Sequence, residues 1–287
     1  YNRFFMMFLL IVAGFIFSFI ITADPASSST EYLGGVLGNK HFASFLTGTV
    51  RLAIALGLAA FVAYIITRLG FVNKKMVKSA YIAPVENFFS RYGIGLAILI
   101  LSLVGLYRIS DIVLGVISNV FYQDLGFTKN QIASVVKTFG LVMTIVGGFL
   151  GGILSVRFGV IKILLLGAVL SAATNLLFVL LASTGNDMTL LYLVISADNL
   201  SAGLASAAFV AFLSSLTDIS FTAVQYAIFT SLMTLLPKVL GGYSGTMVDS
   251  MGYPGFFTLT ALMGIPVILI VWIAGKKLDI DDKHFLK

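Results

Sequence analysis

Three ionisable side chains lie inside two apolar stretches that flank a short polar turn near Asp124. Arg108 and Asp111 precede this turn and Lys137 follows it. At a helical rise of 1.5 Å per residue, Asp111 and Lys137 each lie about 12 Å from the outer end of their stretch, so an antiparallel hairpin would bring them to one level. Charged groups at that depth in a membrane are costly and mark substrate, ion or proton sites. These residue types therefore predict binding or proton transfer within a membrane.

Two further charges fall at a similar depth in later apolar stretches, Asp198 and Lys238. Together with the first three they form a predicted layer near the middle of a bilayer core about 30 Å thick, where transporters hold substrates and coupling ions. Three of the five are positive, which favours an anionic substrate, and a carboxylate among cations can exchange a proton. Two alternatives stay open: Arg108 and Asp111 neutralise each other as an i, i+3 pair, or Lys238 extends outward to the membrane surface.

Polar and small residues in the same stretches supply candidates for a cavity wall and for close helix packing. The alternative for each polar group is a helix-packing hydrogen bond, which contributes modestly in membranes. Overlapping GxxxG pairs, Gly147 with Gly151 and Gly148 with Gly152, allow a neighbouring helix to approach, and static packing is their commoner meaning. The cavity-lining candidates are Tyr107, Asn119, Tyr122, Gln123, Asn175, Gln225 and Tyr226.

The composition predicts an all-α integral membrane protein. Hydrophobic residues make up 59% of the chain and charged residues 10%, and the mean hydropathy is +1.05; soluble domains carry about 25% charged residues. There is no cysteine, which excludes disulfides and thiolate chemistry. The histidines, His41 and His284, lie outside the apolar stretches, so no metal site or cofactor is predicted. Basic cytoplasmic loops account for the net charge of +6, and no nucleic-acid partner is predicted.

Eight apolar stretches are long enough to span a bilayer. Lysine and arginine concentrate in alternate loops, which places those loops and both termini in the cytoplasm. The predicted organisation is two helices with a periplasmic loop over 1–70, a cytoplasmic linker over 71–94, a six-helix bundle over 95–275 and a cytoplasmic tail over 276–287. Residues 24–48 form the predicted loop, and residues 81–92 a predicted amphipathic interfacial helix. The predicted spans are 4–23, 49–69, 95–120, 130–153, 160–183, 189–216, 220–248 and 255–275.

The cytoplasmic stretch GILSVRFGVIK, residues 152–162, resembles the loop signature of the major facilitator superfamily. Gly152, Arg157, Gly159 and Lys162 occupy matching positions. Val156 stands where the signature has an aspartate, as in the degenerate copy of the C-terminal half, which weakens any charge-relay gate at this loop.

Several motifs in order resemble the muropeptide permease (AmpG) family over about residues 80–275. They are PVENFFSRYG at 84–93, LYRISD at 106–111 and GFTKNQIASVVKTFG at 126–140, with further matches at 198–216, 220–232 and 241–257. The resemblance implies an inner-membrane permease that imports anhydromuropeptides, anionic sugar-peptides, for peptidoglycan recycling, driven by protons. In some bacteria such permeases also serve β-lactamase induction. Asp111, Arg108, Lys137 and Asp198 match the family's charged positions, and no enzymatic activity is implied.

The resemblance covers one six-span half of a major facilitator, preceded by two additional spans. A facilitator places its site between two halves, and the chain begins at Tyr1 rather than Met. We therefore expect a fragment whose N-terminal half-bundle is supplied in cis or in trans. Rival interpretations are a facilitator for another large anion, such as an acetyl-coenzyme A type substrate, a non-transporting sensor or scaffold, and a lipid-linked sugar transferase.

Overall fold

Long helices make up the computed structural model, which describes residues 2–71 and 74–278. The first are α1 (Asn2–Ile21), α2 (Ala23–Leu37), α3 (Lys40–Arg68) and the short α4 (Lys74–Val77). A π-helical turn (Lys78–Ile82) leads into α5 (Ala83–Leu106), followed by α6 (Ile109–Asp124) and α7 (Lys129–Gln131). A second π-helical segment (Ile132–Phe139) leads into α8 (Gly140–Phe158), α9 (Val160–Thr184), α10 (Met188–Leu216), α11 (Thr222–Gly241) and α12 (Ser244–Lys277).

The helices have the length and hydropathy of a protein that crosses a membrane many times. Among the described residues, seven helical stretches are long and apolar enough to span, or up to eight if the bent pair α1–α2 is one span. No strand occurs in the described part of the chain. The predicted class, an all-α integral membrane protein, is therefore confirmed. Most of the predicted tail, 279–287, lies outside the described residues.

Residues 1–87 and 88–287 form two compact units. In the first unit, the predicted loop over 24–48 differs from the structure, where α2 follows α1 after a bend of 45°. Serine and threonine favour turns, but here their hydroxyls bond to carbonyls one turn back; Ser29 Oγ and Thr30 Oγ1 do so at 2.7 Å each. Arg51 Nε of α3 donates to the carbonyl oxygen of Phe19 near the end of α1 at 3.1 Å, which ties α3 to the bend.

In the second unit, α8 and α10 cross in close contact through three glycines. A Cβ atom on Gly147 would lie 2.1 Å from the carbonyl oxygen of Leu200, and one on Gly203 would lie 2.1 Å from that of Thr144. One turn along α8, a Cβ on Gly151 would lie 2.5 Å from the carbonyl oxygen of Leu204. Since only glycine permits this approach, the Gly147–Gly151 pair has the packing role that its spacing indicates.

Helix interruptions divide two of the predicted spans. The predicted span 95–120 is broken at Tyr107–Arg108, so that α5 ends and α6 begins in the middle of the stretch. Within α5, Gly93 adopts φ 70°, a conformation that favours glycine, and so ends the helical segment that includes the predicted interfacial helix. The predicted span 220–248 is likewise divided, because α11 ends at Gly241 and α12 begins at Ser244.

Candidate functional site

The beginning of α6 presents an ion pair inside the bundle. Arg108 Nε lies 3.3 Å from Asp111 Oδ2, and the side chains are 21% and 15% exposed. Asp111 lies in the first turn of α6, where the helix dipole favours a negative charge. The interruption before α6 therefore places a helix N-terminus, a cation and a carboxylate together.

Hydroxyl groups from two other helices form hydrogen bonds to this ion pair. Ser171 Oγ of α9 donates to Asp111 Oδ1, and Arg108 Nη1 donates to Ser206 Oγ of α10. The same guanidinium nitrogen lies 3.5 Å from the carbonyl oxygen of Ala202. Because charged groups in an apolar bundle need several polar partners, these bonds fix the position of the pair relative to α9 and α10.

Asp198 of α10 belongs to the same cluster. It interacts electrostatically with Asp111 and Arg108, and Thr174 of α9 lies beside it. The buried Tyr122 of α6 also faces Asp198. Among the described residues the one ion pair is Arg108–Asp111, so Asp198 has none. Of the two acids, Asp198 is therefore the one without a cation in direct contact.

The two lysines of the predicted charge layer lie apart from this cluster. Lys137 is exposed on the π-helical segment, and Lys238 is exposed near the end of α11. Neither forms an ion pair with any described residue. The structure thus brings together three of the five predicted charges, Arg108, Asp111 and Asp198. Two acids then face one cation, so the cluster carries one net negative charge when both acids are ionised.

A second chain of buried hydrogen bonds adjoins the cluster. Asn175 Nδ2 donates to Ser110 Oγ at 2.7 Å, and Ser110 Oγ donates to the carbonyl oxygen of Thr260 at 2.7 Å. Ser110 directly precedes Asp111, and Asn175 directly follows Thr174. This chain joins α6, α9 and α12 beside the two acids, so it stabilises the helices that carry them.

The remaining cavity candidates fall into different environments. Tyr107 is buried; its hydroxyl donates to the carbonyl oxygen of Leu164 at 3.0 Å, and its ring stacks on Phe209 with centroids 4.6 Å apart. Gln225 is buried beside the turn before α11, where its Oε1 accepts from the backbone N–H of Asp218 at 2.8 Å. Asn119 and Gln123 are exposed on α6, and Tyr226 is partly buried on α11.

The loop signature lies at the connection of α8 and α9. Gly159, at φ 93°, is the single residue between these helices. The side chains of Arg157 and Lys162 are exposed, and a Cβ atom on Gly152 would meet nothing within 4 Å. Among the described residues no group of three metal-ligating side chains converges, here or in the cluster.

Sequence reasoning missed Ser171 and Ser206, which bond to the ion pair, and Thr174, which lies beside Asp198. A signal for two of them was present, because Ser171, Thr174 and Asn175 follow one another at i, i+3 and i+4 in an otherwise apolar stretch of α9. That spacing puts three polar groups on one helix face. Ser206 has no comparable signal, since it stands in a run of small residues, mostly alanine.

Gly148 and Gly152 form the second GxxxG pair, and they lie on an exposed face of α8. With neighbouring apolar side chains they line an open groove of about 530 Å³. A Cβ atom on Gly148 would lie 4.0 Å from its nearest neighbour, the carbonyl oxygen of Gly203. The groove is lined by Ile145, Gly148, Phe149, Gly152, Ile153 and Val156.

Many apolar spans surround a cluster of charged and hydrogen-bonded side chains. These features define a multi-pass membrane protein with charged groups inside its helix bundle. The known relatives make the class specific. The chain is 29% identical over 272 residues to a Rickettsia felis protein named "Putative transporter AmpG 4", covering 92% of this chain and 64% of the relative. It is 32% identical over 202 residues to the Rickettsia conorii protein of the same name, covering 70% and 48%.

An uncharacterised protein of Haemophilus influenzae is 35% identical over 206 residues, covering 69% of this chain and 48% of that protein. No family model matches the chain. The chain spans about half the length of most of the curated relatives it matches, and 64% of one. These relatives show that it belongs to the AmpG family of membrane transporters.

Proposed function

We propose that this chain forms part of a secondary active transporter that imports anhydromuropeptides across the bacterial inner membrane for peptidoglycan recycling, coupled to protons. The observation that carries the proposal is the cluster of Arg108, Asp111 and Asp198 at the interruption before α6. Interrupted helices with ionisable groups are the usual site of substrate and coupling-ion binding in transporters. The transporter relatives also favour a non-enzymatic role.

The two acids are proposed to have different roles. Asp111 contacts Arg108 and accepts from Ser171, so these two partners hold it beside the cation. Asp198 has no ion pair with a described residue, and it faces the carboxylate of Asp111, so binding a proton removes the net negative charge of the cluster. In this proposal Asp198 carries the coupling proton, and Asp111 keeps Arg108 in place. The exposed Lys137 and Lys238 are then available for substrate carboxylates.

The test is uptake of labelled anhydromuropeptide by permease-deficient cells that express the complete reading frame. Wild type is expected to restore uptake, and Asp111→Asn to reduce it at least about 100-fold, because leaving a buried charge without its partner costs about 3–5 kcal/mol. Asp249→Asn, the same change at an exposed position of α12, is the matched control and should transport normally.

Membrane insertion of each variant is measured beside uptake, because Asp111→Asn leaves Arg108 without its ion pair. The double variant Arg108→Gln/Asp111→Asn removes both charges, and we expect it to insert normally and still fail to transport. Uptake by the double variant would show that the Arg108–Asp111 pair has only a structural role. If cells with the wild-type protein take up acetyl-coenzyme A type anions but no muropeptide, the proposed substrate is wrong and a large anion of that type takes its place. No uptake of either would favour a sensor or scaffold.

The proposal includes a partner half-bundle that supplies the other wall of the site. The exposed Gly148–Gly152 face of α8 suits close approach of an apolar helix, and most matched relatives are about twice as long as the matched segment. We propose that a helix from the other half packs there.

A photo-crosslinking amino acid at Phe149, exposed by 71%, should give a protein crosslink in the complete gene product. The same probe at Ile265 of α12 is the control, and a lipid adduct alone at Phe149 would contradict the proposal.

A further inference from the structure

A groove between α2 and α3, within the first unit, combines apolar walls with polar side chains. Its volume is about 320 Å³, and apolar residues such as Leu33 and Val50 line it together with Thr47 and Arg51. A hydrogen bond of 2.6 Å between Thr30 Oγ1 of α2 and Thr47 Oγ1 of α3 joins the two helices that form its walls. The groove can therefore receive a molecule that is partly apolar and partly polar.

Arg51 is the charged residue of this groove, and its positive charge has no counter-ion among the described residues. Its Nε lies 3.1 Å from both the carbonyl oxygen of Phe19 and Thr22 Oγ1, and its guanidinium lies 3.9 Å from the centroid of the Phe19 ring. Nη2 also donates to the Phe19 carbonyl oxygen. These contacts fix the guanidinium at the bend between α1 and α2 but leave its charge uncompensated. A guanidinium has five N–H donors, so Nη1 is available to a bound anion.

The length of α3 places Arg51 at the level where phospholipid headgroups begin. Arg68, the last residue of α3, lies about 26 Å further along the helix axis at 1.5 Å per residue. The hydrocarbon core of a bilayer is about 30 Å thick, and arginine side chains extend toward the membrane surface, so the two arginines lie near its two surfaces. The helix α2, which follows the bend beside Arg51, carries the polar run SSSTE, as expected for a segment at or beyond the headgroups.

From these observations we propose that the groove binds an anionic phospholipid, whose phosphate is held by Arg51. The planar guanidinium matches the geometry of phosphate oxygens, and one phosphate charge neutralises it. The hydroxyls of Ser29 and Thr47, which also line the groove, can accept from a hydroxylated headgroup. Val50 and Ile54, exposed by 57% and 45%, contact the apolar part of the lipid. The site lies within the first unit and is independent of the proposed transport function.

The experiment titrates the purified protein in detergent with phosphatidylglycerol and, in parallel, with phosphatidylcholine, and counts bound lipids by native mass spectrometry. We expect one phosphatidylglycerol to bind more tightly than any phosphatidylcholine, because the choline group neutralises its own phosphate. Arg51→Gln should lower this affinity at least about tenfold, since charge-assisted hydrogen bonds to the phosphate are lost. Arg68→Gln, the same change at the other end of α3, is the matched control and should bind as wild type does. Equal affinity of wild type for both lipids, or an unchanged affinity in Arg51→Gln, would overturn the proposal.

A second variant, Ala26→Phe, fills the groove but keeps Arg51 and its bonds at the bend, so it separates lipid binding from folding. We expect the same loss of affinity, and unchanged binding would place the lipid elsewhere and refute this site. A photo-crosslinking amino acid at Val50 should form lipid adducts in phosphatidylglycerol vesicles and few in phosphatidylcholine vesicles. The same probe at Leu56, exposed by 51% outside the groove, should react alike in both. A protein crosslink at Val50 in the complete gene product, without a lipid adduct, would show that another helix fills the groove and would overturn the proposal.

Discussion

Asp198→Asn is expected to abolish proton-driven accumulation of the substrate while substrate exchange across the membrane continues. Asparagine has nearly the shape of aspartate, but it cannot take up a proton. One proton moving across about 100 mV supplies about 2.3 kcal/mol, enough to concentrate a substrate about 50-fold. Without that proton the substrate should only equilibrate. Proteoliposomes with an imposed proton gradient measure accumulation, and counterflow without a gradient measures exchange.

The contrast with Asp111→Asn makes this result specific. Asp111 contacts Arg108 at 3.3 Å, so its loss should impair accumulation and exchange together. Asp198 has no ion pair with a described residue, so its neutralisation leaves no cation unpaired. Full accumulation by Asp198→Asn would exclude it as the proton carrier. Loss of exchange in both variants would mean that the two acids act in substrate binding.

Gly147→Ala is expected to destabilise the bundle strongly, although alanine is the better helix former. Its Cβ atom would lie 2.1 Å from the carbonyl oxygen of Leu200, so α8 and α10 would have to separate. Overpacking of a well-packed interior costs about 1–3 kcal/mol, and backbone atoms can yield less than side chains. We expect the apparent melting temperature in detergent to fall by more than about 5 °C.

Gly148→Ala is the matched control one residue further along the same helix. Its Cβ atom would lie 4.0 Å from the nearest atom, so the packing term is absent and helix propensity should dominate. Alanine is favoured over glycine by up to about 1 kcal/mol in a helix, which predicts an unchanged or slightly higher melting temperature. Equal destabilisation by both substitutions would show that the α8–α10 crossing differs from the one described.

The class of protein and most of the helices follow from the sequence alone. Long apolar stretches must form helices in a membrane, because each backbone polar group needs an internal partner. Charged residues are rare in membrane spans, so Arg108, Asp111 and Asp198 can be recognised as candidate functional residues from the sequence. The i+4 spacing of Gly147 and Gly151 likewise indicates a close helix crossing before the neighbouring helix is known.

The tertiary structure decided which charges act together and where the helices are interrupted. The break at Tyr107–Arg108 is accompanied by bonds from Tyr107 to α9 and from Arg108 to α10, and no local signal in the sequence reports partners so distant. Depth alone placed Lys137 and Lys238 with the acids, but depth does not give the direction of a side chain around its helix. That direction depends on packing between helices, which joined Ser171 to Asp111 and left both lysines exposed.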